Sequence, residues 1–474
     1  MDRLIDEIVQ VRVSDAVAAA SATSVNTAAV VGVTTKDSID IDDTQVLYSQ
    51  DAVEKAYGTG VKQVIILDPS GSATASGDVE LTMGGSGNVV AKAKVRVGDN
   101  ATTKRNLLKA LASSFSADGY SAVFFVDSGD VEKLKITADN YGVTENPFAM
   151  NYNGTGFSGS PTVSENGVAE ADIVKVTKSF FLEPATPGKL VCIPVQANPT
   201  AGNIADTLDD ALALGKDANN REIDFYNVVI RLSSAGVTRQ GVVALATALD
   251  EWCTENFKLG HIEVTDRKVA ADAKADLSAN PTKRVAIYFH DEASEKSEAA
   301  QLVAERCGND PARGTWAHKT LEGLVADPIS KDDFKDAQEL GLNIYAKVAG
   351  VDRTYFGTTG TKTMFIDSVV KKDWLKFRTQ EAIFNLLGSA NNGDGVDFND
   401  DGIPAVVAAM TDIFTIAQDS EHRYVLPNSW EITAPKYKDI PAEDKAVRNL
   451  PRVRAIFSIQ ESIHTVKTVE LQVV

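Results

Sequence analysis

The spacing of apolar positions changes along the chain, and each change marks a different kind of element. From Ile8 it alternates: Val9, Val11 and Val13 fall on one side, and Gln10, Arg12 and Ser14 on the other, which predicts a strand. The stretch Ala16 to Ser24 that follows has too little bulk to build a core. The far end repeats the pattern, with Val469, Leu471 and Val473 alternating with Thr468, Glu470 and Gln472. A strand at each end without a local hairpin partner invites pairing with another chain by strand addition. The plainer reading is that each end pairs inside its own domain.

Between these ends the pattern predicts several blocks. Residues 26–60 read as a strand over Ala28 to Val33 and a short helix over Ser49 to Tyr57, capped by Ser49 and stopped by Gly58. From 61 to 178 Gly, Ser, Thr and Asn rise and strand patterns dominate: Val61 to Leu67, Val79 to Met83, Val89 to Val97, Ala122 to Val126 and Lys133 to Ala138. One helix interrupts them, Thr102 to Phe115, with Leu107, Leu108, Leu111 and Phe115 on one face. From 179 the pattern becomes strand, helix, strand, helix, with strands at Leu190–Val195, Asn227–Leu232, Gly260–Val264 and Arg284–Phe289. Such alternation argues a layered α/β sheet. Near Asn343 a last part begins, with strands at Ile344–Val348 and Thr363–Ile366 and helices at Lys372–Gly388 and Gly402–Ala417. The fold expected is α/β and α+β multidomain: an arm over 1–25, an α/β domain from 26–60 and 179–342, an inserted β-rich module over 61–178, and a C-terminal α+β domain over 343–474.

Composition narrows the partners. The chain has 474 residues, 43% hydrophobic and 24% charged, as expected of a globular protein of several domains. Its net charge of −19 disfavours nucleic acid and anionic membrane surfaces. No apolar run approaches the ~20 residues of a membrane span. The opening Met1-Asp2-Arg3-Leu4-Ile5-Asp6-Glu7 does not read as a secretory signal. Three cysteines, Cys192, Cys253 and Cys307, cannot make a disulfide scaffold and read as free thiols in a reducing cytosol; a bridge between copies stays open.

No motif for chemistry stands out. Asp397-Phe-Asn399-Asp-Asp401-Gly402 matches the opening of a calcium loop, but Ala408 stands where the closing carboxylate belongs. It reads as a polar loop capping the next helix through Asp400 and Asp401. Gly84 to Asn88 is a turn without the spacing of a phosphate cradle. His261, His290, His318, His422 and His464 lack metal-ligand spacing with one another or with cysteine. His290-Asp291-Glu292 ends a strand but has no nucleophile motif beside it. The expectation is a protein without catalytic, cofactor-binding or metal-ligating residues. Residues 360–474 carry 13 basic and 16 acidic side chains, so the acidity lies mostly elsewhere. Lys371, Lys372, Lys376 and Arg378 cluster in and before the 372–388 helix and read as a solvated face or as a docking surface for a partner of opposite charge.

Several segments form an ordered set: Val46-Leu-Tyr-Ser-Gln-Asp-Ala-Val-Glu-Lys-Ala-Tyr-Gly58, Ser179-Phe-Phe-Leu-Glu-Pro184, Asn343-Ile-Tyr-Ala-Lys-Val-Ala-Gly350, Thr363-Met-Phe-Ile-Asp-Ser368, Asp373-Trp374-Leu375, Glu381-Ala-Ile-Phe-Asn-Leu-Leu387 and Asp401-Gly-Ile-Pro-Ala405. In order and spacing they resemble the contractile-tail sheath proteins of bacteriophages. The loop Val396 to Asp401 departs from the Pro-Tyr-Thr-Asp of many relatives. The resemblance leaves 61–178 as a variable module.

The resemblance implies a structural subunit of the virion tail, made in the host cytoplasm. Its partners would be other copies in stacked hexameric rings, the tail tube protein, and baseplate and tail terminator proteins. Contraction from a metastable extended state would drive the tube through the host envelope and need no cofactor. The terminal strands, through Val9, Val11, Val13, Val469, Leu471 and Val473, would join sheets of neighbours. Two further expectations follow: the insert faces outward, and Lys372, Lys376 and Arg378 contact the tube. Rival readings are a surface-array or adhesin-type protein and a hydrolase built on the α/β layer.

Overall fold

The structure, a computed structural model, describes residues 24–34, 39–84, 88–232, 236–291, 296–390 and 395–465. The chain forms two compact units, one from Met1–Ala56 with Asp172–Val474 and one from Tyr57–Ala171. It opens with β1 (Ala28–Val33), β2 (Gln45–Leu47) and α1 (Gln50–Tyr57). The second unit then contributes β3 (Lys62–Leu67), β4 (Ser70–Gly71), β5 (Gly77–Met83), β6 (Val89–Val95), α2 (Lys104–Ser114), β7 (Tyr120–Val126), β8 (Glu132–Tyr141), β9 (Phe148–Asn151), β10 (Phe157–Ser158) and β11 (Thr162–Glu165). Back in the larger unit follow α3 (Asp172–Leu182), β12 (Leu190–Val195), α4 (Ile204–Leu214), β13 (Asn227–Leu232), α5 (Arg239–Asn256), β14 (Leu259–Val264), α6 (Arg267–Leu277), β15 (Val285–Phe289), α7 (Glu298–Asn309) and α8 (Lys331–Leu340). The chain continues with β16 (Asn343–Val348), β17 (Val351–Tyr355), α9 (Ile366–Ser389), α10 (Ile403–Ala417), β18 (Glu431–Thr433), α11 (Ala442–Ala446) and β19 (Arg454–Ile456). The architecture is mixed α/β with several sheets.

The larger unit is built on an eight-stranded sheet in the order β17-β16-β15-β14-β13-β1-β12-β2. The six strands from β12 to β16 run parallel, and β2 and β17 close the two edges antiparallel. Parallel strands joined by helical crossovers are covered on both faces, so they need apolar side chains on both. That is why Leu190-Val-Cys-Ile-Pro194 and Val285-Ala-Ile-Tyr-Phe289 read as unbroken apolar runs and are buried throughout. β2 pairs only with Leu190 to Cys192, so Pro194 falls beyond the stretch where a missing N–H would interrupt a ladder on that side. On one face Leu208, Leu245, Leu249, Trp252, Ala273 and Ala337 from α4, α5, α6 and α8 pack against Val31, Ile193, Ile230 and Ile287. The other face carries α3 and α7, buried at Ile173, Val174, Phe180, Leu302 and Val303. Gly32 lets α3 approach β1: a Cβ there would stand 2.7 Å from the Cα of Ile173.

Three departures from the sequence reading have physical causes. The 61–178 block ends earlier, at Ala171, because Asp172 to Leu182 is helix α3 of the larger unit. Its residues Ile173, Val174 and Val176 are all buried in helical packing. Asn343–Val348, assigned to the C-terminal domain, is β16 of the large sheet, paired parallel with β15. Thr363 to Ile366 is not a strand; Met364 N–H donates to Thr361 O at 3.0 Å in a turn, and α9 begins at Ile366.

The second unit is antiparallel. A four-stranded sheet β11-β3-β8-β7 and a three-stranded sheet β6-β5-β9 enclose Ile65, Leu67, Leu81, Leu134 and Ile136, with Leu107, Leu108 and Leu111 from α2. Thr103 caps α2 by accepting from Asn106 N–H. The chain enters and leaves through paired backbone: Val61 N–H donates to Val168 O at 2.9 Å and Val168 N–H to Val61 O at 2.8 Å.

At the start of α7, Glu298 is completely buried, and among the described residues neither carboxylate oxygen has a hydrogen-bond partner. Burial, with the nearby Asp327 and Glu263 carboxylates, pushes its pKa well above the usual value. The folded state therefore holds a proton that the unfolded chain releases, and stability falls as pH rises above about 4.5. Glu298→Gln is expected to stabilise the larger unit at pH 7 by about 1–3 kcal/mol. The gain should shrink to nothing as pH approaches 4. Urea unfolding followed by tryptophan fluorescence checks this, because Trp252, Trp316, Trp374 and Trp430 all lie in the larger unit.

Candidate functional site

The C-terminal layer consists of α9, α10, β18 and β19, and a buried ion pair fixes it to the large sheet. Tyr226, Lys258 and Arg284 stand immediately before β13, β14 and β15, at the amino ends of neighbouring parallel strands. Arg284 forks onto Asp373 of α9, with Nη1–Oδ2 and Nη2–Oδ1 both 2.7 Å, and Nη1 also donates to Lys258 O at 3.1 Å. Tyr226 O–H donates to Asp373 Oδ2 at 2.6 Å. Burial works against the charge on Arg284, but the Asp373 carboxylate outweighs it and holds the guanidinium pKa above its ordinary value. Burial and the same carboxylate push the Tyr226 phenol up. Phe257, in the left-handed region at φ 51°, ends α5 and presents its ring to Arg284 at 5.1 Å.

The first half of α9 is buried, charges included, while its second half carries Phe384 and Leu387 exposed. Ile416 of α10 is exposed as well. Beside the helices, β18 and β19 form a two-stranded antiparallel sheet of three residues each. The pairing continues irregularly, with Leu426 N–H donating to Ser458 O and Gln460 N–H to Tyr424 O, both at 2.9 Å. Phe414 of α10 packs on Trp430 and Phe457, ring centroids 5.5 and 5.3 Å away. Among the described residues no further strand joins either outer edge of this sheet. The tail beyond it is pinned: Lys371 Nζ, paired with Asp367 at 2.6 Å, donates to Gln460 O at 2.7 Å. His464 Nε2 lies 2.7 Å from Thr315 Oγ1, and its ring sits 4.8 Å from that of Phe365. Burial is the main cause holding the His464 pKa below its usual value.

The sequence-predicted residues divide. Val9, Val11, Val13, Val469, Leu471 and Val473 lie outside the described residues. Lys376 is no surface residue: it is buried, with Nζ 3.4 Å from the centroid of the Phe257 ring, because its position on α9 faces the end of α5. A side chain buried there is not available to a tube, contrary to the expectation. Lys372 is half-buried, and Arg378 is half-buried and paired with Glu381 one turn on. The sequence gives no local sign of the anchoring group Asp373, because its partners Tyr226 and Arg284 are 147 and 89 residues away.

The remaining motifs are structural. In the acidic loop, Asn399 Oδ1 accepts from Asp401 and Gly402 N–H at 2.9 and 2.8 Å, so Asn399 rather than Asp400 or Asp401 closes the turn into α10. Asp400 accepts from Tyr437 N–H at 2.8 Å. Among the described residues no three of His, Cys, Asp and Glu gather as metal ligands. His290 Nδ1 lies 3.0 Å from Asp327 Oδ2, buried beside an open cleft at the carboxyl ends of β14 and β15 that includes Arg267 and Asp291. His261 is buried between Tyr288 and Asn227, its pKa lowered to about 3 by burial. Among the described residues no disulfide joins Cys192, Cys253 or Cys307, and all three are buried; burial raises all three thiols, that of Cys307 to about 12.

No family model and no curated protein matches this chain. Among solved structures, it is similar to the D1-D2-D3 domains of the flagellar cap protein FliD from Escherichia coli, at 13% identity and a TM-score of 0.17. The match covers 23% of this chain and only 36% of that one, an overlap too small to carry an argument about fold or function.

Asp373→Ala leaves Arg284 buried without its counter-charge and is expected to cost the larger unit about 3–5 kcal/mol. The double change Arg284→Met with Asp373→Leu removes both charges and is expected to cost less than the single one. Urea midpoints by tryptophan fluorescence decide; a double variant as unstable as the single would contradict a desolvation origin.

Proposed function

We propose that this chain is a structural subunit of a contractile phage tail sheath, polymerising as stacked hexameric rings around a tail tube. The observation that carries the reading is the bare sheet of the C-terminal layer. A pair of three-residue strands is marginal alone. Here it lies next to helices that leave Phe384, Leu387 and Ile416 exposed. Strands supplied by neighbours would extend such a sheet. The chain has alternating segments of suitable pattern at residues 9–13 and 469–473. The ordered resemblance of several segments to sheath proteins supports the same reading.

On this reading the subunit is not an enzyme, and contraction draws on packing between copies. Its partners are other copies, the tube, and the baseplate and terminator proteins, in the virion tail after synthesis in the host cytoplasm. Lys372 and Arg378 remain the proposed tube contacts. Ion pairs made near the surface are each worth about 0–1 kcal/mol, weak enough to release on contraction.

Negative-stain imaging of the full chain tests the proposal: long hollow cylinders are expected, and discrete monomers at high concentration would refute it. Removing residues 1–23, which stops short of the buried Val25, is expected to leave the tryptophan-monitored unfolding of the larger unit unchanged and to abolish the cylinders. Normal cylinders from the truncated chain would exclude the arm as a linking strand.

A further inference from the structure

The sheath reading says nothing of what the second unit does, and its four-stranded sheet carries an unused pairing surface. β7, Tyr-Ser-Ala-Val-Phe-Phe-Val, is an edge strand with no charge, no proline and no bulge, paired to β8 in one register from Tyr120 to Val126. Val123 is 56% exposed. Natural edge strands are usually guarded by lysine, proline or a bulge, because a bare one is a template for another strand. The opposite edge, β11, pairs with β3 alone among the described residues; a bulge between Val163 and Glu165 leaves Thr162 and Val163 in regular register.

The direction of the strands decides how these edges can meet. Every neighbour in the order β11-β3-β8-β7 is antiparallel, so with four strands the two edge strands run in opposite directions. A second copy in the same orientation therefore brings its β11 antiparallel to β7, and the ladder continues without turning either molecule over. The outward faces also match. Thr162 lies opposite Ile66, Ile66 opposite Lys135, and Lys135 opposite Val123, so Thr162 and Val123 stand on the same side of the sheet. The core-facing set runs Val163, Ile65, Ile136 and Ala122 in the same way.

We infer that the second units of neighbouring copies join edge to edge, β7 of one to β11 of the next, as a head-to-tail contact. Contacts of this type propagate into rings or filaments instead of closing as dimers. The inference stands on the sheet alone and not on the sheath reading.

Cysteine pairing in the full chain tests it, since the three native cysteines are buried. Thr162→Cys is combined in turn with Ser121→Cys, Val123→Cys and Phe125→Cys, which covers the registers open to same-face residues. Under mild oxidation at least one double variant is expected to give a ladder of covalent oligomers on a non-reducing gel. Each single variant is expected to remain monomeric there. Covalent dimers from Val123→Cys alone would mean that β7 pairs with β7 about a two-fold axis and would overturn the inference. So would the absence of a ladder from all three double variants.

Discussion

The C-terminal layer depends on one carboxylate placed where water does not reach. Asp373 sits under the amino ends of three adjacent parallel strands and receives a guanidinium fork and a phenol from two of them. Taking both charges out of water is expensive, so the pair is weak support for stability and strong support for position. A helix that slid by one residue along the sheet would leave an uncompensated charge on each side. The pair thus fixes the register of α9, and α9 in turn sets where α10 and the small sheet stand.

A second constraint acts where the chain crosses from β17 to α9. Asn343 Nδ2 donates to Thr358 O at 2.8 Å and its Oδ1 accepts from Thr358 N–H at 2.8 Å. Lys274 Nζ, fully buried, donates to Thr359 O and Gly360 O at 2.5 and 2.6 Å, and burial lowers its pKa to about 7. The connection is therefore clamped by polar groups from α6 and β16, not left as a free linker. Deformation of the layer would be expected beyond these two anchors, in the exposed half of α9 and the short strands, where buried apolar contacts are fewer.

Much of the large sheet was legible because doubly covered strands must be apolar on both sides, and Leu190–Val195 and Asn227–Leu232 match their expected bounds. The face of α2 through Leu107, Leu108 and Leu111 was legible for the complementary reason, a helical period against one core. The misses have equally local causes. In α6, Arg-Lys-Val-Ala-Ala-Asp-Ala-Lys-Ala-Asp-Leu, alanines facing the core give almost no hydrophobic signal. The charged first half of α9 imitates a solvated face. Periodicity sees the charge of Asp367, Lys371, Asp373 and Lys376 but not the distant groups that accompany them into the interior, so the anchor of the site was hidden while its small sheet lay among loops.

The doorway of the second unit has a further consequence. Val61 and Val168 are hydrogen-bonded to each other in both directions, so the outgoing and returning chains are one strand spacing apart, about 5 Å. The two ends of the second unit thus lie side by side. Any folded cargo whose own ends come that close satisfies the same geometric condition, whatever its size or ancestry. The position is accordingly a natural socket for exchange, both for recombination between related genes and for a designer grafting a foreign domain onto the subunit.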